Sequence, residues 1–277
     1  MKLKKWLKNI VISFLLILIP VCICVLETEL IYFYPAVADT EGFRNFVLDN
    51  TMLSKLTEKY EWGTQEFYDV LTVHMIQTQM NPMKNKKKTI PIRIGPLRPL
   101  YSRYKSMYQT LLNDIQCFPV AEDIYGGETV SFDNSWGGKR TYGGKRKHEG
   151  CDIMTSNNEA GYFPIVSMTD GIIEKKGWLP LGGWRLGVRS PSGGYFYYAH
   201  LDEYAKNVEE GTNIKAGQLL GYMGDSGYGI QGTTGKFDVH LHVGIYLMDK
   251  GKEKSVNPYY ILKFYEEKKR KFYNKSE

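Results

Sequence analysis

In the stretch GKFDVHLHVGIY, beginning at Gly235, apolar and polar residues alternate without a break. Phe237, Val239, Leu241, Val243 and Ile245 fall on one side, and Asp238, His240, His242, Gly244 and Tyr246 on the other. A period of two over this length predicts a half-buried β-strand, one face in a core and the other open. His240 and His242 then leave the strand on the same open face. Two solvated histidines would be the bland reading, but the chain holds only five histidines, and imidazole is the commonest neutral metal ligand near neutral pH. A catalytic zinc takes three protein ligands and keeps one position for water. The pair supplies at most two, so the remainder must come from elsewhere in the chain.

The strand does not stand alone. From Cys117 onward the sequence is a succession of short runs such as ETVSF, PIVSM, GIIEKKGW, LGVRS, YFYYAHL and QLLGYM, punctuated by Gly-Gly pairs at 137–138, 143–144, 182–183 and 193–194. Glycine pairs mark turns, and short strands at this spacing predict a compact, mainly β domain. A nucleotide-binding reading is excluded: there is no Walker A loop, and no G-x-G-x-x-G between a strand and a helix.

The first 116 residues differ in texture. Lys2, Lys4, Lys5 and Lys8 precede an uncharged run from Ile10 to Leu26, about the shortest that can span a bilayer. No small-x-small cleavage site follows it, and Ile23 before Cys24 argues against lipidation. The expectation is an uncleaved signal anchor with the lysines in the cytoplasm and the remainder outside the cell. Next, Phe67, Val70, Leu71, His74 and Met75 follow helical spacing, with Thr64 as N-cap and an earlier helix around Met52 to Tyr60. His74 reads as a core histidine. Pro82, Pro91, Pro96 and Pro99, among many lysines and arginines, then predict an extended basic connector, with one short helix over YSRYKSMYQTLLNDI. The net charge of +6 points to an anionic neighbour such as a membrane surface, nucleic acid or acidic wall polymer without choosing among them.

In KRKHEGCDIM, His148, Gly150 and Asp152 share a face if the segment is extended, and the glycine leaves room for an ion near the backbone. Glu149 and Cys151 then point away. Position 152 is Asp and Gly150 disfavours a helix, so the zincin motif H-E-x-x-H does not apply. His148, Asp152 and one of the paired histidines make two imidazoles and a carboxylate, a suitable set for a hydrolytic zinc with an open position. His200, at the end of YFYYAHL on the face of Phe196 and Tyr198, is a candidate for proton transfer or oxyanion stabilisation. Cys117 and Cys151, the two cysteines outside the apolar run, form either a disulfide or two buried thiols.

HEGCD, YYAHL and HLH, in this order, resemble the lysostaphin-type (LytM-like) zinc metallopeptidases that cut peptide cross-links in bacterial peptidoglycan. PIVSMTDGIIEKKGW, VEEGTNIKAGQLLGYMGDSGYG and NPYYIL resemble the connecting segments of that family, so the likeness runs from about Phe118 to Leu262. It implies a mainly β fold, an antiparallel β-sheet LytM-like peptidase domain, preceded by a transmembrane helix and a small helical region. It also implies one Zn2+ per chain on His148, Asp152 and His242, with His200 and His240 as the two non-ligand catalytic histidines. The chain departs from the family where relatives commonly read small-T-G-P-H-L-H; here TGKFDVHLH replaces the glycine-proline approach.

The resulting expectations divide the chain into a basic N-terminus and anchor (1–30), a helical region (31–81), a basic Pro-rich connector with a short helix (82–116), the peptidase domain (117–265) and a basic tail (266–277). The implied function is a membrane-anchored, extracytoplasmic zinc metalloendopeptidase acting on peptidoglycan peptides, with no nucleic-acid partner. The other class to weigh is a LytM-like scaffold that only binds partners in sporulation or division; such relatives usually lose ligands, and this chain keeps them.

Overall fold

The computed structural model describes residues 6–7, 11–22, 41–78, 80–83, 99–124 and 127–272. Helices α1 (Glu41–Arg44), α2 (Asn50–Lys59), α3 (Gln65–Gln77) and α4 (Pro99–Leu112) come first. Strands β1 (Glu122–Asp123), β2 (Val130–Phe132), β3 (Lys139–Arg140), β4 (Arg146–Lys147) and β5 (Cys151–Thr155) follow. The chain continues through β6 (Pro164–Val166), β7 (Gly171–Leu179), β8 (Gly183–Arg189) and β9 (Tyr195–Tyr204). After β10 (Asn213–Ile214), β11 (Leu219–Met223), β12 (His240–Asp249) and β13 (Lys252–Val256) come α5 (Tyr259–Tyr265) and β14 (Lys271–Phe272). The expected mainly β architecture is what forms: a ten-stranded sheet whose path runs β10-β7-β8-β9-β12-β5-β2, with β11 paired to β6 and β9 and β13 paired to β12.

The alternating stretch enters β12 only at His240, antiparallel to both β5 and β9, while Phe237 lies before the strand and packs against His200 and His240 rather than on the core face. Its apolar residues Leu241, Val243 and Ile245 are fully buried, as the period of two requires. The opposite face is not open as expected. His240 is also buried, because a central strand has neighbours on both edges and loops that fold over its second face. The strand therefore floors a cleft.

The helices pack on the same core. Tyr104, Tyr108 and Leu111 of α4 join Phe43, Phe67 and Leu71 in an apolar cluster continuous with Ile245 and Leu247 of β12. Arg103 ties α4 to the sheet through Asp249, with Nη2 donating at 2.6 Å and Nε at 3.1 Å, and Lys254 donates to the same carboxylate at 2.5 Å. α4 has 14 residues, close in length to the helix expected over YSRYKSMYQTLLNDI, but starts two residues earlier and ends at Leu112. Thr64 caps α3 by accepting from Phe67 N at 3.3 Å. Phe67, Tyr68, Leu71, Thr72, Val73 and Met75 of α3 are buried, while Val70 and His74 are half-buried. Burial of Tyr68 and Thr72 in place of Val70 and His74 rotates the face away from the predicted one.

Two further features concern the cysteines and the N-terminal run. Cys117 and Cys151 are both free and buried. Their thiols donate to separate carbonyls, Cys117 to Ser167 O at 3.3 Å and Cys151 to Asp133 O at 3.5 Å. Cys151 lies on the core side of β5 in register with Val243, so no bridge forms. Residues 11–22 are helical, with Phe14, Leu16 and Ile17 exposed. Among the described residues no helix is long and apolar enough to cross a membrane. The rest of the Ile10–Leu26 run, most of the connector (84–98) and the end of the basic tail (273–277) lie outside the described residues.

Candidate active site

The register of three strands assembles the site. His242 on β12 stands directly opposite Asp152 on β5 and Ala199 on β9. In an antiparallel pair such neighbours point to the same face, so the H-x-H histidine and the H-x-x-x-D aspartate are brought together by backbone pairing alone. His148 enters from the loop before β5. The three ligand-type atoms then form a tight triangle. His242 Nδ1 lies 2.8 Å from Asp152 Oδ1, His148 Nε2 lies 3.0 Å from the same oxygen, and the two imidazole nitrogens are 3.0 Å apart. Ligand atoms on one tetrahedral zinc, with bonds of ~2.0–2.2 Å, stand about 3.3 Å apart. Among the described residues this is the His/Cys/Asp/Glu group able to hold a metal ion.

The surroundings fix the orientation of the three groups. His148 Nδ1 faces Ser135 O at 3.1 Å. This contact fixes the ring and turns Nε2 toward Asp152 and His242. Burial lowers the pKa of His242 and keeps it neutral. Burial pushes the Asp152 carboxyl up, but hydrogen bonds to His148 and His242 outweigh it and hold the group well below the usual carboxylate range. Two imidazoles and one carboxylate are the donor set a catalytic zinc takes. Gly150 serves differently from the expectation. A Cβ there would collide with the His242 ring, so the glycine makes room for a ligand side chain rather than for an ion. Glu149 and Cys151 point away as expected. Glu149 is held by Arg44 of α1 at 2.5 Å, which ties the helical region to the ligand loop.

His200 reaches the site by an unexpected route. Strict alternation would put it in the core with Phe196 and Tyr198. Instead the β8–β9 register runs Leu186↔Tyr198 and then Trp184↔Leu201, so β9 carries one extra residue. This is a β-bulge, and His200 sits in it with φ 64°. The bulge turns His200 over onto the cleft side. Its Nδ1 is tied to Ser226 O at 2.7 Å, leaving Nε2 toward the cleft. Burial first, then His240 and His242, lowers its pKa to about 3. His240 repeats the arrangement: Nδ1 donates to Asp238 O at 2.7 Å, and Nε2 lies 3.9 Å from Asp152 Oδ1. The two rings are 4.6 Å apart, and Phe237 packs edge-on to both at 4.6 and 5.0 Å. Phe237 belongs to the segment that replaces the glycine-proline approach, so that departure supplies an aromatic wall.

All five predicted residues thus line one pocket of about 130 Å³. Sequence reasoning missed its rim. Arg140, on β3, donates from Nη2 to Asp152 Oδ2 at 2.6 Å. Arg146 stands opposite Arg140 in the β3–β4 hairpin and also lines the pocket. At the hairpin tip Tyr142 stacks on Tyr228, ring centroids 4.2 Å apart, and donates to Tyr228 O, which clasps the hairpin to the loop before β12. Tyr197 lines the pocket wall beside His242, its hydroxyl kept neutral by burial. The pattern K-R-T-Y-G-G-K-R carried the signal, since a Gly-Gly between two basic pairs is a hairpin turn.

A sheet that brings two histidines and an aspartate together beside a second histidine pair defines a metallopeptidase-type centre. Residues 146–258 match the model of peptidase family M23. The crystal structure of a LytM protein from Ruminococcus gnavus is 40% identical and superposes with a TM-score of 0.73, covering 85% of this chain and 94% of that one. The chain belongs to peptidase family M23. It is also 42% identical over 136 residues to the L-Ala--D-Glu endopeptidase of Bacillus subtilis, a match over 49% of this chain and 40% of that protein's length. Lysostaphin of Staphylococcus simulans is 36% identical over 67 residues, 24% of this chain and 13% of that protein.

Proposed function

We propose that the protein is a zinc-dependent endopeptidase that hydrolyses peptide bonds in bacterial peptidoglycan, tethered to the cell membrane with its catalytic domain outside. The observation that carries the reading is the meeting of His148 Nε2, Asp152 Oδ1 and His242 Nδ1 within 3.0 Å of one another beside two further histidines. A purely binding role would not require this set to be intact. The names of the relatives, an L-Ala--D-Glu endopeptidase and lysostaphin, support peptidoglycan as the substrate class. The N-terminal lysines and apolar run support the tether.

His148, Asp152 and His242 would hold the zinc. When bound there, the ion supplies Lewis acidity: it polarises a carbonyl and makes water a nucleophile near neutral pH. The other groups have separable tasks. His200 and His240, each with Nδ1 fixed on a carbonyl, offer Nε2 to accept a proton from the attacking water and return it to the leaving amine. In protonated form either ring donates to the oxygen that gains charge on the scissile carbonyl. Arg140 fixes Asp152 by its second oxygen, and Phe237 and Tyr197 limit water around the histidines.

The test is incubation of the full chain with purified peptidoglycan and identification of the released ends by mass spectrometry. New peptide termini should appear, vanish with a zinc chelator and return on adding zinc. Intact glycan with no new peptide ends, at any metal level, would overturn the hydrolase reading. Protease shaving of intact cells checks the topology: the domain should be cut without lysis.

A further inference from the structure

Arg140 and Arg146 occupy directly opposed positions in the β3–β4 hairpin, and both side chains line the pocket. Like charges in that position repel, so each needs a compensating anion. Arg140 has one in Asp152 Oδ2 at 2.6 Å. Arg146 has none among the described residues. Its side chain is half-buried, and its Nε is buried without a hydrogen-bond partner. Arg146 thus lines the pocket with no anionic partner among the described residues, and its guanidinium is available to an anion brought into that pocket.

Resting on the hydrolase reading, we propose that Arg146 is a specificity residue that anchors a carboxylate on the substrate residue next to the scissile amide. Several features fit. Guanidinium takes a carboxylate in a planar, two-pronged geometry. The pocket is small, about 130 Å³, and Arg146 shares it with His148, His200, His240 and His242. A carboxylate held by Arg146 is therefore within one residue of the bond being cut. Asp152, the acidic side chain lining that pocket, is already engaged by Arg140, His148 and His242, so the anion must come with the substrate. The site thereby selects peptides with an acidic residue beside the cut and disfavours bridges made of glycine alone.

The test uses two synthetic peptides that differ only in carrying a carboxylate or its amide at the residue flanking the cleaved bond. Both are assayed with the zinc-loaded wild-type chain, Arg146→Met and Arg146→Lys. The wild type should favour the acid over the amide in kcat/KM by roughly 10- to 100-fold, the worth of one charge-assisted hydrogen bond. Arg146→Met should lose that preference through the acid peptide alone, with zinc content unchanged, and Arg146→Lys should restore part of it. An equal loss on both peptides, or a wild type indifferent to the carboxylate, overturns the proposal. Calorimetric binding of the same peptides separates the two readings. If neither peptide is cut, the hydrolase reading fails; an acid preference in binding that Arg146→Met abolishes still upholds the subsite, and its absence rejects it.

Discussion

On one wall of the cleft His148, Asp152 and His242 converge because β5 and β12 pair in a register that sets Asp152 against His242. On the other wall His200 and His240 converge because a strand breaks its register: a bulge in β9 turns His200 out of the core, and the loop ending at Asp238 and Ser226 holds both rings by their Nδ1 atoms. The first wall is a product of regular sheet geometry; the second depends on irregular backbone and on carbonyls supplied by loops. Under the proposed function the first wall holds the metal and the second moves protons, and walls built by such different means should fail in different ways when mutated.

The sharpest separation is in rate. His200→Ala and His240→Ala should each lower peptide release by about 10²–10⁴, the usual worth of positioned acid–base groups, while the folded chain still binds zinc. A variant of either that loses zinc would merge the two walls into one. Next comes the support of the ligand wall. Arg140 holds the second oxygen of Asp152, so Arg140→Met should weaken zinc affinity by roughly 10–100-fold, measured by competition with a chromogenic chelator, and leave the fold in place. Unchanged affinity would show that the strand register alone orients Asp152.

The smallest effect belongs to the loop wall. Ser226 Oγ donates to Leu201 O at 2.6 Å and accepts from Trp184 N at 3.0 Å, which clamps the loop to the bulge. Gly183, at φ 62°, packs against Ser226, so a larger residue there would not fit. Ser226→Ala should destabilise the domain by about 1–3 kcal/mol in urea titration and reduce turnover more than zinc binding. A loss confined to zinc would contradict the division between the walls.

The same division explains what could be read from the sequence. The ligand wall was legible because its determinants are local and periodic: alternation marked β12, and H-x-x-x-D with a glycine marked the approach to β5. Which of the two histidines joins Asp152 was supplied by the family resemblance alone, and the β5–β12 register sets His242 opposite it. The bulge was not legible, since nothing in YFYYAHL signals an extra residue, and His200 appeared to face the core with Tyr198. Arg140 and Arg146 were hidden for another reason. In a stretch with Lys139, Lys145 and Lys147 around them, only the hairpin register shows which basic residues turn inward. The helical region gave its elements but not its packing, because the face of α3 is set by its packing against α4, a helix distant in sequence.

The central claim is that two histidines one residue apart on the same strand face have different tasks. Zinc stoichiometry of His242→Ala and His240→Ala, purified alike and checked for folding, tests it most directly. The account predicts about one zinc per chain for His240→Ala, as in the wild type, and close to none for His242→Ala. Zinc retained by His242→Ala and lost by His240→Ala would contradict it.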